Sequence, residues 1–147
     1  MPDAHFISAD QIKKNIRLMN ISPQKRVLII DDDEGLIEPL QLAIEAAGYE
    51  VLTANDGTEG VIKIERDAPD LVLLDLVMPR RSGLSVLDSI VDNKRLAPRI
   101  IMVTGSDESK YRDLAFDRGV DRFIPKPYQI EDLVQAVNEL LEADTAS

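Results

Sequence analysis

Five polar side chains stand at the ends of short apolar runs, and together they are the parts that phosphoryl transfer needs. Asp31 and Asp32 close Val27-Leu28-Ile29-Ile30, and Asp75 closes Leu71-Val72-Leu73-Leu74. Thr104 closes Ile100-Ile101-Met102-Val103, while Lys126 follows Val120–Ile124 after a single Pro125. Two like charges about 4 Å apart repel by about 4 kcal/mol at an effective dielectric near 20. A fold that gathers Asp31, Asp32 and Asp75 therefore calls for a cation. A few oxygen ligands with no His or Cys among them suit Mg²⁺, which takes one or two carboxylates and keeps several waters. Lys126 adds a fixed positive charge, Thr104 a hydroxyl donor, and the remaining carboxylate a nucleophile. Gly105, beside Thr104, leaves room for a backbone N–H to approach a phosphoryl oxygen. Asp33 has a plainer reading, as the N-cap of the helix that follows.

Runs of four or five β-branched and aliphatic residues separated by helical stretches mark buried parallel strands. In open sheets of that kind ligands sit outside the carboxyl ends of the strands, so the five side chains should converge on one crevice. The spacing predicts strands over Val27–Asp31, Tyr49–Ala54, Asp70–Asp75, Arg99–Thr104 and Val120–Ile124. Helices are predicted over Glu34–Ala47, Thr58–Arg66, Leu84–Asn93, Asp107–Arg118 and Gln129–Glu142, making βα units with right-handed crossovers. Pro39 falls inside the first of these helices, which is locally unfavourable. Gly48 fits its C′ position, and Asn55-Asp56-Gly57 is a turn signal.

At 147 residues the chain is long enough for one domain with a real core. A formal charge of −10 argues against the basic face that nucleic-acid binding requires. The absence of cysteine excludes a disulfide framework and a thiolate metal site. Residues 1–25 lack the apolar core of a signal peptide, and no run approaches the roughly 18–20 apolar residues that span a bilayer. These features predict a cytoplasmic protein with neither nucleic acid nor membrane as partner.

In the segments Arg26–Asp33, Asp70–Gly83, Ile100–Gly105 and Gly119–Pro127 the chain resembles the receiver domains of two-component response regulators, over about residues 26–142. The resemblance implies a flavodoxin-like doubly wound α/β fold, a five-stranded parallel sheet of order 2-1-3-4-5 with helices on both faces. It implies that Asp75 accepts a phosphoryl group from a phosphohistidine on a histidine kinase or a histidine phosphotransfer protein. Asp32 would hold Mg²⁺ directly and Asp31 through water, with Asp75 and the backbone carbonyl of Val77 completing the site. Leu76, Thr104, Gly105 and Lys126 would contact the phosphoryl group, and Lys126-Pro127 would be cis. Thr104 and Phe123 would form the switch that reports phosphorylation to a downstream target protein.

The chain also departs from the family pattern. After Met78-Pro79 the family commonly runs Gly-x-x-Gly; here it runs Arg80-Arg81-Ser82-Gly83. Two guanidinium groups beside the acceptor would favour an acidic phosphodonor protein, unless the loop is simply solvated. Phe123 lacks a tyrosine hydroxyl, so its switching would rest on packing. Val77 and Ser106 would flank the path of a hydrolytic water. Residues 1–25 lie outside the resemblance. Ser8-Ala9-Asp10-Gln11 fits a capping box for a helix over about Ala9–Asn20, with Ile12, Ile16 and Met19 on one stripe and Ile21–Gln24 as linker. That extension would serve packing, dimerisation or capture of a partner. Only Ala143–Ser147 follow the last helix, so no effector domain is expected. Output would pass through the face of Lys110, Tyr111, Arg112, Arg122 and Phe123. A diffusible regulator and a phosphorelay carrier that returns its phosphoryl group to a histidine phosphotransfer domain both satisfy this reading, as does a receiver excised from a hybrid kinase. A magnesium-dependent phosphohydrolase of small molecules fits less well, because those enzymes place an acid/base Asp where this chain has Val77.

Overall fold

A computed structural model of the chain describes residues 7–18, 24–105 and 110–145. Five parallel strands form one sheet in the order β2-β1-β3-β4-β5. They are β1 (Arg26–Ile30), β2 (Glu50–Ala54), β3 (Leu71–Asp75), β4 (Arg99–Thr104) and β5 (Arg122–Pro125). Between and around them run α1 (Ala9–Leu18), α2 (Glu34–Ala46), α3 (Gly57–Asp67), α4 (Gly83–Asp92), α5 (Arg112–Asp117) and α6 (Ile130–Thr145). This is the flavodoxin-like doubly wound fold that the resemblance implied.

The apolar runs are continuous because both faces of the sheet are covered. Alternate strand residues feed two separate cores. Leu28, Ile30, Val72, Leu74, Ile100 and Met102 pack with Ile64, Val86, Leu87, Ile90 and Ala115 of α3, α4 and α5. Val27, Ile29, Leu71, Leu73, Ile101 and Val103 pack with Ile37, Leu40, Ile44, Leu133, Val137 and Leu141 of α2 and α6. Central β3 is buried along its whole length, so Asp75 is held by a strand that cannot shift without breaking both cores.

Local signals explain the helix ends. Asp33 caps α2 by accepting from the Gly35 N–H at 3.0 Å, and Asp56 caps α3 by accepting from the Glu59 N–H at 2.8 Å. At the other end of α2, Gly48 takes φ +104° and the Tyr49 N–H reaches back to the Ile44 carbonyl, a Schellman-type closure. Pro39 does lie inside α2. It is exposed, and so is Gly35 four residues before it, whose carbonyl would otherwise meet the missing N–H; water can serve that carbonyl instead. β5 starts two residues later than predicted, at Arg122. Asp121 instead turns its carboxylate to Arg99 Nη1 at 2.9 Å and the Ile100 N–H at 2.8 Å, tying the entry of β5 to that of β4.

The amino-terminal helix exists, with the Gln11 N–H donating to Ser8 Oγ at 3.1 Å. Only half of the capping box forms, because the Gln11 amide turns to Asn15 Oδ1 instead. Ala9, Ile12 and Lys13 of α1 line a groove of about 420 Å³ with Gln24, Arg26, Glu50, Asp67, Ala68 and Asp70. Arg26, Glu50 and Asp70 stand at the amino ends of their strands, so α1 sits at the end of the sheet away from Asp75. The expected helix beyond Leu18, the linker to Pro23, Ser106 and the first residues of the helix predicted from Asp107 lie outside the described residues. Among those described, no helix is long and apolar enough to cross a membrane.

Gly83 opens α4 directly against the end of β3. A Cβ there would collide with the Asp75 carbonyl oxygen and lie 2.9 Å from Leu76 Cα, both backbone atoms that cannot swing aside. Gly83→Ala should therefore cost about 1–3 kcal/mol of stability, readable as a lowered urea midpoint at unchanged m-value.

Candidate functional site

The carboxyl ends of β1, β3, β4 and β5 bring the predicted residues together. One oxygen each from Asp31, Asp32 and Asp75 lies within 4.8 Å of the others. Lys126 reaches across from the β5 end, its Nζ 3.4 Å from Asp75 Oδ1 and 3.7 Å from Asp31 Oδ2. Both distances exceed the 2.7–2.9 Å typical of a charge-assisted hydrogen bond, so the ammonium bridges two carboxylates without closing on either. Asp31 and Asp75 are 7% and 5% exposed, whereas Asp32 faces solvent.

The backbone fixes these groups. Asp31 Oδ1 accepts from the Asp33 N–H at 2.9 Å, which leaves its other oxygen for Lys126. The Lys126 N–H donates to the Thr104 carbonyl at 2.5 Å, pinning the end of β5 to that of β4. The Lys126-Pro127 bond is cis, as the resemblance implied. Thr104 is 1% exposed, and its hydroxyl donates to the Gly105 carbonyl at 3.2 Å. Val77 is 57% exposed, and its backbone N–H lies near enough to the Asp75 carboxylate to pull that group's pKa down.

Leu76, which the resemblance placed among the residues contacting the phosphoryl group, has a buried side chain, and its N–H donates to the Val103 carbonyl at 3.0 Å. The sheet ladder takes up the first amide after β3, and the next, that of Val77, lies toward the Asp75 carboxylate. The basic pair also divides. Arg80 is exposed, but Arg81 turns back along α4, its Nε 3.0 Å from Ser85 Oγ and its Nη2 on Ser89 Oγ.

One neighbour was missed. Tyr128 is half-buried against the α2 and α6 core, and burial together with the nearby Asp31 carboxylate pushes its hydroxyl pKa up. The signal available was an aromatic directly after Lys126-Pro127. Phe123 lies on the other face, half-buried, with its ring centre 6.3 Å from that of Phe116.

Electrostatics set what the site can hold. Burial, reinforced by repulsion from Asp31, pushes the Asp75 carboxyl up to about 6, against the opposing pull of Lys126. Asp31 is pushed up as well, mainly by burial. Burial alone would lower Lys126, but Asp75 and Asp31 more than offset it and leave the ammonium held above its ordinary range. Three carboxylates against one ammonium leave a negative surplus in a partly dehydrated crevice. An all-oxygen donor set with room for water is the chemistry that a hard divalent cation such as Mg²⁺ fits.

A folded-state pKa above the unfolded one means that the native state holds the proton more tightly. Asp75 therefore contributes stability fully below about pH 4 that is lost as pH rises through about 6. The rise from 3.8 to about 6 corresponds to about 3 kcal/mol at neutral pH. Without divalent metal, Asp75→Asn should be the more stable protein at pH 7.5, by up to about that amount, and the advantage should vanish near pH 4. Urea titrations across that range check it.

Known proteins resemble this chain over most of its length. A family model described as response regulator receiver domain matches residues 27–138. The alkaline phosphatase synthesis transcriptional regulatory protein PhoP of Bacillus subtilis is 34% identical over 117 residues, 80% of this chain and 48% of that protein. The response regulator MprA of Mycobacterium leprae is 36% identical over 116 residues, 79% of this chain and 50% of that protein. The chain thus spans about half the length of the curated relatives it matches. Among solved structures, a CheY-like response regulator receiver domain protein from Methanospirillum hungatei superposes with a TM-score of 0.76 at 31% identity, covering 85% of this chain and 100% of that one. The signal receiver domain of a Luxo repressor protein from Vibrio parahaemolyticus gives a TM-score of 0.79 at 26% identity, over 84% and 95% of the two chains.

Proposed function

Since the chain belongs to the response regulator receiver-domain family of two-component signalling, we propose that Asp75 is its phosphoacceptor and that phosphorylation there changes which proteins the chain binds. The observation that carries this reading is the convergence of Asp31, Asp32 and Asp75 with Lys126 at one strand-end crevice. The donor would be a phosphohistidine on a histidine kinase or a phosphotransfer protein. An Asp75 oxygen attacks phosphorus as the phosphorus–nitrogen bond breaks, and the imidazole leaves with the electron pair. Mg²⁺, held by Asp32 and Asp75, by Asp31 through water and by the Val77 carbonyl, would offset the charge gathered on the carboxylates and phosphoryl oxygens. Lys126 stays beside the new acyl phosphate, and the Val77 N–H already faces the acceptor.

Thr104 and Phe123 carry the change outward. The Thr104 hydroxyl, which now donates to Gly105, would turn to a phosphoryl oxygen and gain a charge-assisted bond in the phosphorylated state alone. The half-buried Phe123 ring would move into the space this frees. A gain in burial worth ~1.4 kcal/mol shifts the populations about tenfold. The surface read by the target would then be that of α5, β5 and α6.

Incubation with acetyl phosphate and Mg²⁺ should add one phosphoryl group at Asp75, followed by intact-mass and peptide analysis. Asp75→Asn should take up none, and Asp32→Asn should lose most of the metal-dependent labelling. Undiminished labelling of the Asp75→Asn protein would sink the assignment. Thr104→Ala should still accept phosphate, yet beryllofluoride should no longer shift the NMR resonances of Phe116 and Phe123. If it shifts them as in the wild type, the switch runs through other residues.

A further inference from the structure

We propose that Arg80 is the residue with which this receiver reads the charge of its phosphodonor protein, and that Arg81 is the brace that presents it; the proposal rests on Asp75 being the phosphoacceptor. Both residues lie on the loop that leaves the acceptor strand, but the structure gives them opposite surroundings. The Arg81 guanidinium is tied to Ser85 and Ser89 of α4. Its Cβ and carbonyl oxygen lie so close to Gly57 that a Cβ on that glycine would come within 3.0 Å of each. Arg81 thus fastens the loop to the starts of α3 and α4, and its charge is turned inward.

Arg80 is presented outward. The Arg81 N–H bonds to the Pro79 carbonyl at 2.8 Å across it, and Arg80 takes φ +71°, which makes a γ-turn of the rarer, strained hand. Glycine would hold that turn without strain, so an arginine there implies a side chain with a use elsewhere. Among the described residues, Arg80 has no ion pair or hydrogen bond. Asp32, Asp33 and Glu34 expose carboxylates at the end of neighbouring β1, and the whole chain carries −10. A protein bringing an anionic phosphoryl group meets a repelling rim. A fixed guanidinium on the loop after Asp75 gives that protein an anchor, and the partner chemistry it fits is an acidic patch beside the phosphohistidine.

Three substitutions separate charge from backbone: Arg80→Lys keeps the cation and the strain, Arg80→Ala keeps only the strain, and Arg80→Gly removes both. The donor is found by profiling purified, ATP-labelled histidine-kinase catalytic domains one by one and retaining the fastest. At low salt, transfer to Arg80→Lys should stay near the wild-type rate, while Arg80→Ala and Arg80→Gly should both slow by roughly tenfold, converging with wild type at high salt. Melting temperature should follow the other axis, with Arg80→Gly above wild type and the other two close to it. Labelling by acetyl phosphate should be alike in all four. Arg81→Ala should lower the melting temperature and shrink the difference between Lys and Ala at position 80. Transfer rates that follow the Cβ instead of the charge, or that do not change, overturn the role of Arg80; an undiminished charge effect in the Arg81→Ala background overturns the brace. Failure of acetyl phosphate to label wild-type Asp75 overturns the phosphoacceptor reading and this inference with it.

Discussion

Mutual repulsion among Asp31, Asp32 and Asp75 is the constraint around which the rest is arranged. Burying two of these carboxylates near a third is unfavourable, and one ammonium at 3.4 and 3.7 Å compensates only in part. What keeps the acids together is the sheet beneath them. Val27–Ile30 and Leu71–Leu74 are buried on both faces, so the strand ends go where the two cores put them. Hydrophobic burial, distributed over many side chains, thus holds a small electrostatic strain at one edge. That strain is relieved by whatever positive charge enters.

Much of this was legible in the chain itself. Period-independent apolar runs gave the strands, and in an open parallel sheet the residue types just beyond them had to meet. Asp31, Asp32, Asp75 and Lys126 do meet. Less legible was anything decided by which way a backbone amide or a long side chain turns. Leu76 and Val77 are adjacent, yet the ladder to β4 takes the first amide, while the second lies near the Asp75 carboxylate. Arg80 and Arg81 are identical in type, and only the positive φ at one and the serine hydroxyls of α4 near the other tell them apart. The late start of β5 depends on Asp121 pairing with Arg99, a contact between residues far apart in sequence.

The two ends of the sheet are dressed differently. At the carboxyl end like charges are gathered and only partly compensated. At the amino end they are matched: Arg26 pairs with Glu50 at 2.9 Å, donates from its side chain to the Asp67 carbonyl at 3.0 Å, and donates its own backbone N–H to the Asp70 carboxylate at 2.8 Å. Such satisfied exposed pairs contribute modestly to stability, but they fix the strand entries and the floor of the groove that α1 roofs. Chemistry and anchorage therefore occupy opposite ends of the same strands.

β5 has a consequence for assembly. It is a lateral strand of only four residues, and it ends in Pro125, which has no N–H to offer a neighbour. On the far flank, Lys63 folds its ammonium onto the Thr53 carbonyl of β2. Both margins of the sheet are blunted against templating another chain's backbone, the route by which flat edges seed fibrils. What such a sheet leaves open to another protein is its helices and loops, not its strand edges.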